Sequence, residues 1–185
     1  MVELDSLSAV VQVIDGFSGT PVEGVPVRFT VDGCVVAPLV KPQGYFAFTR
    51  LAGGAHAVEV EAQGFFPARL RVQVPPSVPL AEAVVDCPLY PTPLYPFPSW
   101  ATLIRGRVGG AAGQVHILAQ YRDRVGHAQE LATATVATGP WAGAYVLALA
   151  GRLAAETDVT LSVAGRERTV RAARGRITVL NLDLT

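Results

Sequence analysis

The sequence has little charge, few cysteines and no long apolar run. Only 16% of its 185 residues are charged, and 15 basic residues balance 15 acidic ones. A neutral chain lacks the basic surface that nucleic acids and anionic membranes attract, so we expect neither as a partner. No stretch is long enough for a transmembrane helix, and no basic and then apolar leader follows Met1. We therefore expect synthesis in the cytoplasm without a signal peptide and no insertion into a membrane.

The sequence also lacks the spacings that catalytic and metal sites require. His56, His116 and His127 lie far apart, and none has a second histidine, cysteine or carboxylate at a metal-ligand spacing. No serine lies in a Gly-x-Ser-x-Gly turn. Cys34 and Cys87 could pair, but both lie among apolar neighbours, and we favour free, buried thiols. We predict a chain that is not an enzyme and holds no cofactor and no metal.

Residues 11–31 contain the clearest structural signal. Val11 and Val13 precede Asp15, whose carboxylate can accept hydrogen bonds from the amides of the following Gly-rich turn. After the turn, every second residue is apolar: Val25, Val27, Phe29 and Val31. This period of two is typical of a half-buried antiparallel strand.

Further strands are expected on both sides of this signal, at residues 9–15, 35–39, 45–50, 56–62, 68–74 and 82–89. In the strands at 56–62 and 68–74, glutamates would face arginines across a hairpin that turns at residues 64–67. With residues 25–31, this makes seven short alternating strands, a pattern that predicts a β-sandwich.

The order of turn and strand residues in this half resembles that of a known family. The run VQVIDGFSGTPVEGVPV at residues 11–27, followed by GYFAF at 44–48 and the pair Gly64-Phe65, is similar to the carboxypeptidase regulatory-like domain. The resemblance implies a small transthyretin-like sandwich, related in shape to immunoglobulin-type folds, that is mostly used as a non-catalytic module. Transthyretin-like hydrolases end in Tyr-Arg-Gly-Ser, whereas this chain ends in Leu-Asp-Leu-Thr, so the resemblance does not extend to that activity.

Prolines are concentrated at residues 88–98, PLYPTPLYPFP, in a pattern that no central strand or helix tolerates. We expect an extended, polyproline-like linker at residues 89–100, between a first sandwich at 1–88 and a second at 101–185. Its aromatic residues either pack against the sandwiches or dock into a groove on a partner: Tyr90, Tyr95, Phe97 and Trp100.

The strand pattern restarts after the linker. TLIRGRV at residues 102–108 opens it, alternation continues through residues 115–121, and further strands are expected at 158–164, 166–171 and 177–184. GPWAGAYVLAL at 139–149 echoes residues 44–48, although residues 145–156 are rich enough in alanine and leucine for a short helix. We predict an all-β protein of two tandem transthyretin-like or immunoglobulin-like sandwiches, the second a degenerate copy of the first.

Arginines crowd the last predicted strands, at Arg166, Arg168, Arg171, Arg174 and Arg176. They form either a solvated outward strand face or a surface for an acidic partner or anionic ligand. The partner-binding residues that we expect are Tyr90, Tyr95, Phe97, Trp100, Arg166, Arg168 and Arg171.

These observations favour a structural or adaptor module that joins other protein subunits in a larger assembly, with its oligomeric state open. The absence of a leader suits a phage-tail-like or contractile injection particle, which is assembled in the cytoplasm and released from the cell. Two alternatives remain. One is a carbohydrate or cell-surface binding module that uses Trp100, Trp141 and Tyr145, and the other is an accessory domain of an enzyme carried on another chain.

Overall fold

The computed structural model describes residues 7–79, 82–110 and 113–185, and these residues form strands, turns and loops without a helix. They divide into two compact units, one ending at Pro91 and one running from Thr92 to Thr185. Each unit contains two four-stranded sheets that enclose one apolar core. The prediction of an all-β, tandem-sandwich protein is therefore confirmed. The division falls inside residues 89–100, and a separate linker between domains at 1–88 and 101–185 stays a prediction.

The first unit contains eight strands. They are β1 (Leu7–Asp15), β2 (Val27–Val31), β3 (Cys34–Val36), β4 (Leu39–Lys41), β5 (Tyr45–Thr49), β6 (Gly54–Ala62), β7 (Ala68–Val74) and β8 (Val84–Leu89). One sheet has the order β4-β5-β1-β8 and the other β3-β2-β6-β7. Strand β8 runs parallel to β1, and the other pairings in this unit are antiparallel.

Alternating apolar residues from both sheets form the first core. The ring centroid of Phe29 on β2 lies 4.7 Å from that of Phe46 and 5.3 Å from that of Phe48, both on β5 of the opposite sheet. Val11 and Val13 on β1 are fully buried in the same cluster. The strand faces that the alternation predicts are therefore the ones that the structure shows.

Two local predictions in this unit are confirmed. The Asp15 carboxylate accepts hydrogen bonds from the amides of Phe17 at 2.7 Å and Ser18 at 3.2 Å, as the turn chemistry indicates. Strands β6 and β7 form the expected hairpin, and a guanidinium nitrogen of Arg69 lies 2.7 Å from a carboxylate oxygen of Glu59 directly opposite.

The prediction of a single strand at residues 35–39 is wrong. The chain forms β3 in one sheet, passes through Ala37 and Pro38, and then forms β4 in the other sheet. Pro38 has no amide hydrogen to give to a ladder, so it interrupts pairing at the point where the chain crosses between the sheets.

The second unit also contains eight strands. They are β9 (Thr102–Gly109), β10 (His116–Arg122), β11 (Ala128–Ala134), β12 (Ala144–Leu149), β13 (Glu156–Val163), β14 (Arg166–Ala173), β15 (Ile177–Val179) and β16 (Leu182–Asp183). One sheet has the order β11-β10-β13-β14, and the other β12-β9-β15 with β16 also on β9. With β9 in the place of β1 and β10 in that of β2, this strand order repeats that of the first unit without an equivalent of β4.

Three predictions for this half need correction. The strand expected at residues 177–184 is divided into β15 and β16, with Leu180 and Asn181 between them. Residues 145–156 contain no helix, since β12 ends at Leu149 and a loop leads to β13. Tyr145, Leu147 and Leu149 alternate as core residues along β12, and their packing in the sandwich outweighs the helix propensity of the alanines and leucines in this stretch. Strand β11 was missed, because its sequence AQELATA contains one large apolar residue, Leu131.

Candidate interaction surfaces

The Pro-aromatic segment is not continuously extended, and that prediction is wrong. The amide of Tyr95 donates to the carbonyl of Thr92 at 3.0 Å, which closes a turn with Pro93 at its second position. Proline suits that position because its φ angle is already fixed near the value that the turn requires. A second turn is closed by the bond from the Ala101 amide to the Pro98 carbonyl at 3.0 Å.

The aromatic residues of this segment do not form one surface. Tyr90 belongs to the first unit, where its carbonyl accepts a 2.8 Å bond from the Phe66 amide. In the second unit, the Tyr95 and Phe97 rings lie 4.7 Å apart at 61°, and the Arg105 guanidinium carbon lies 5.5 Å from the Phe97 ring centroid. Tyr95 and Phe97 are half-buried, whereas Trp100 is 71% exposed. Trp100 is therefore the residue of this segment best placed to meet a partner.

The predicted arginine face is divided by the structure. Arg171 lies on the outward register of β14, where Nε donates to an Asp158 oxygen at 2.9 Å. Arg166 and Arg168 lie on the opposite register, paired with buried Val163 and Leu161 of β13. Nη1 of Arg166 donates to the carbonyls of Asp183 at 3.0 Å and Thr185 at 3.1 Å. Arg166 and Arg171 thus make internal contacts, and the three arginines do not form one binding face.

Arg174, a fourth arginine of the predicted arginine face, lines a cleft that also contains Trp100. The cleft lies at one end of the second sandwich and has a volume of about 420 Å³. Buried Leu149 and Leu153 line its interior. Three exposed arginines come from three different loops, between β10 and β11, β12 and β13, and β14 and β15: Arg124, Arg152 and Arg174. We call this site the arginine cleft.

Backbone hydrogen bonds hold the loops of the arginine cleft in place. The Arg124 amide donates to the Arg152 carbonyl at 2.8 Å, and the Arg174 amide donates to the Ala155 carbonyl at 3.0 Å. Thr102 Oγ1 accepts a bond from the Gly175 amide at 2.8 Å. The loops of Arg124 and Arg152 are therefore joined through their backbone, whereas Nη1 of Arg174 also donates to the Leu153 carbonyl at 3.5 Å.

Tyr121 and Asp123 add further support beneath these loops. The Tyr121 hydroxyl donates to the Ala150 carbonyl at 2.9 Å and accepts from the Ala150 amide at 3.0 Å. The Asp123 carboxylate accepts from the amides of His127 at 2.9 Å and Val125 at 3.0 Å. Desolvation opposes the charge on Asp123, but these amides and the nearby His127 outweigh it and hold the pKa of the carboxyl below its usual value. The Asp123 carboxylate is therefore charged, and its hydrogen bonds are made to amides of its own loop.

Sequence reasoning singled out Trp100 and Arg174 but missed Arg124 and Arg152. Arg124 and Arg152 are single arginines in turns, and the sequence around each contains no motif that marks a binding site. The topology that brings their loops to one end of the sandwich is the only signal, and it appears only when the strand order is known.

The first sandwich has an exposed apolar edge at β3 and β4. Val35 is 77% exposed, Leu39 54% and Val40 73%. Each strand is the terminal strand of its sheet among the described residues. An adjacent cleft of about 710 Å³ has walls that include Pro26, Val36, Pro38, Phe46 and Phe65. We call Val35, Leu39 and Val40 the apolar edge, and sequence reasoning did not select it.

The residues suggested for a carbohydrate platform do not lie together. Tyr145 is buried in the core, and its hydroxyl donates to the Leu180 carbonyl at 2.7 Å. Trp141 precedes the first residue of β12, whereas Trp100 lies beside the last, because Leu149 pairs with Thr102. Trp100 and Trp141 are thus at opposite ends of the β9 and β12 pair.

The side chains of His56 and Cys87 occupy structural positions. His56 is only 13% exposed at its side chain, and Nδ1 and Nε2 lie within hydrogen-bond distance of Asp32 and the Ala52 carbonyl. The cysteines are free, and Cys34 is exposed, so the prediction that both are buried is wrong for Cys34. Burial raises the pKa of the Cys87 thiol to about 11, which keeps it protonated at neutral pH. Among the described residues, no group of three histidine, cysteine or acidic side chains is placed to hold a metal ion.

No protein-family model and no curated protein matches the chain. Among solved structures it is similar to the Bacillus anthracis TIE protein, at 11% identity and a TM-score of 0.32, over 96% of this chain and 34% of that one. It is also similar to BcpA, the major pilin subunit of Bacillus cereus, at 8% identity and a TM-score of 0.28, over 97% of this chain and 59% of that one. The chain thus spans about a third and about three fifths of these proteins' lengths. Such distant likenesses carry no inference about function, and kinship with carboxypeptidase regulatory-like domains stays a prediction.

Within the described residues, no helix has the length and apolar character needed to cross a bilayer.

Proposed function

We propose that the chain is a non-catalytic structural or adaptor module that joins a larger assembly through protein contacts. The observation that carries this proposal is the apolar edge, where three large aliphatic side chains within residues 35–40 are each more than half exposed. Large aliphatic side chains exposed on terminal strands are costly for a protein that works alone, because they invite association. They are useful in a subunit whose partner covers them.

The partner that fits this edge is an extended segment of another subunit. Such a segment adds backbone hydrogen bonds along the outer side of β4, and its alternate side chains reach into the neighbouring cleft beside Val36 and Phe46. The chemistry-bearing side chains described above support a non-catalytic role, since His56 is held by Asp32 and Ala52 and the Cys87 thiol is protonated.

Quantitative pull-down from the native cell tests this function. The parent chain should retain one protein in near-stoichiometric amount, and Val35→Lys with Val40→Lys should release it, because lysine cannot be desolvated in an apolar contact. Val179→Lys, at an exposed valine of the second unit outside the arginine cleft, is the matched control and should retain the partner. Circular dichroism confirms that each variant is folded. Recovery of no stoichiometric partner, or equal recovery with the edge variant, would contradict the proposal.

A contractile injection particle is one assembly in which such a module would serve, after synthesis in the cytoplasm. Immunogold labelling of purified particles tests that assignment, and particles without label would exclude it. The carbohydrate alternative is tested on a glycan array with Trp100→Ala and Trp141→Ala, each at an exposed tryptophan. Glycan binding that depends on either tryptophan, with no protein partner, would replace the adaptor function.

A further inference from the structure

The arginine cleft has a charge distribution that is unusual for a protein with no net charge. Of the described residues that line it, three are arginines and none is acidic. The nearest acidic residue in sequence, Asp123, directs its carboxylate to the amides of its own loop. No described residue of the cleft lining supplies a carboxylate to offset the three guanidinium groups, and one of them, that of Arg174, also donates to the Leu153 carbonyl at 3.5 Å.

The cleft also presents an apolar surface next to these charges. Trp100 is 71% exposed, and Leu149 and Leu153 line the interior. Its volume of about 420 Å³ is larger than a single inorganic anion requires and falls in the range of small-ligand clefts. A ligand that fills it needs both anionic groups and an apolar group of side-chain size.

We propose that the arginine cleft binds an acidic peptide segment of a partner protein. The carboxylates of the segment pair with Arg124, Arg152 and Arg174, and an apolar side chain between them packs on the Trp100 indole. Guanidinium groups suit this role because they hydrogen-bond carboxylates in a bidentate way. The inference rests on the proposed function. It adds a second contact with a partner protein and specifies that an acidic segment of the partner makes this contact.

A peptide is favoured over an acidic carbohydrate by the aromatic content of the site. Trp100 is the one aromatic residue among the described residues that line the cleft, and Trp141 lies at the other end of the β9 and β12 pair. One indole presents a large apolar face, which suffices for one apolar side chain of a peptide. An acidic carbohydrate is therefore an outcome of the test and not the proposal.

Tryptophan fluorescence tests the inference directly. The chain has two tryptophans, so Trp141→Phe leaves Trp100 as the only reporter. The probe is a capped pentapeptide of two glutamates, one leucine and two glutamates, and the control peptide has glutamines in place of the glutamates. The acidic peptide should shift the emission of Trp100 in a saturable way, and the control should not. The Kd should rise when ionic strength is raised from about 0.05 M to about 0.5 M, because the contacts are charged and exposed.

Arginine variants in the same background locate the site. Arg124→Gln and Arg152→Gln should each weaken peptide binding by about two- to fivefold, as expected for exposed ion pairs. Both arginines contribute to the loop structure through their backbone, so the fold should be unaffected. Arg168→Gln is the matched control, an exposed arginine of β14 outside the cleft, and should bind as the parent does.

Absence of a saturable shift, or a Kd that Arg124→Gln and Arg152→Gln leave unchanged, would overturn the inference. A shift produced by an oligogalacturonide and not by the peptide would overturn it in favour of a carbohydrate ligand. These measurements use the purified chain alone, so a negative result would reject the peptide site without rejecting the proposed adaptor function. If the pull-down partner is still lost with the edge variant, the adaptor function stands without the cleft.

Discussion

Nδ1 of His56 lies 2.6 Å from Oδ2 of Asp32, at the point where β6 pairs with the end of β2. Nε2 of the same ring lies 2.8 Å from the Ala52 carbonyl oxygen. A doubly protonated ring can donate to both acceptors, so the Ala52 carbonyl first and Asp32 second raise the pKa of His56 above its usual 6.5. The bond from His56 and one from the Ala57 amide lower the pKa of Asp32 below 3.8.

The pair should stabilise the first sandwich most between about pH 4 and about pH 6.5. The His56 contribution is fully present below the unfolded-state pKa and is lost as the pH rises through the higher folded-state pKa. The Asp32 contribution is present above its unfolded-state pKa and is lost as the pH falls through the lower folded-state value. His56→Gln should therefore lower the Tm more at about pH 5.5 than at about pH 8.5, measured by circular dichroism.

His116→Gln is the control for this experiment, since His116 is an exposed histidine on β10. Its effect on the Tm should not depend on pH in the same way. An equal loss of Tm at both pH values for His56→Gln would show that the imidazolium does not stabilise the folded state.

The core of the first sandwich depends on Phe29. Its ring contacts Phe46 and Phe48 across the two sheets and is 1% exposed. Phe29→Ala should lower the free energy of unfolding by about 3–5 kcal/mol, because it removes a buried ring and leaves a cavity. Urea denaturation measures the loss. Val35→Ala, at an exposed residue of the neighbouring strand, should change stability by less than about 0.5 kcal/mol. Similar losses in both variants would mean that Phe29 is not a core residue.

The sequence predicted those elements whose side chains alternate strongly. Val27, Phe29 and Val31 predicted β2 and its buried face, and the charges of Glu59 and Arg69 predicted the register of the β6 and β7 hairpin. Strand β11 was not predicted, because small and polar residues on an edge strand need little alternation when the neighbouring strand supplies the core.

The candidate site was predicted only in part. Trp100 was selected for its position after a Pro-rich segment, and the arginines of β14 for their density. The density of arginines is a property of neighbouring positions in the sequence. The arginine cleft depends instead on three loops that only the strand order brings together. The internal contacts of Arg166 depend in the same way on where the last strand lies, which composition cannot specify.

Gly106 on β9 should be intolerant of any side chain. A Cβ added there would overlap the carbonyl oxygen of Leu180, which also accepts the Tyr145 hydroxyl bond. Gly106→Ala should destabilise the second sandwich by about 1–3 kcal/mol, because the backbone carbonyl cannot rotate away as a side chain can. Gly109→Ala on the same strand is the matched control, since its Cβ would meet Asp183 Oδ1 at an ordinary 3.7 Å. Denaturant midpoints that fall equally in both variants would contradict this account.

Arg105 and Phe97 should be energetically coupled. The guanidinium carbon lies 5.5 Å from the ring centroid, and Nε of Arg105 is one of the buried polar atoms that lack a hydrogen-bond partner within the described residues. A double-mutant cycle with Phe97→Leu and Arg105→Met should give a coupling of about 0.5–2 kcal/mol. The same cycle with Tyr95→Leu in place of Phe97→Leu should give a smaller value. A coupling of zero for Phe97 would leave the ring with a packing role alone.

Arg166 should hold the C-terminal residues against the second sandwich. Its Nη1 donates to the carbonyls of Asp183 and Thr185, next to the bond from the Leu184 amide to the Gly109 carbonyl at 3.1 Å. Arg166→Gln should speed hydrogen exchange at the Leu184 amide, because the strand end can then open locally, while the Tm changes little. Arg168→Gln, two residues along the same strand, should leave this exchange rate unchanged. Faster exchange in both variants would attribute the effect to the charge of β14, and unchanged exchange in Arg166→Gln would show that β16 is held by its pairing with β9 alone.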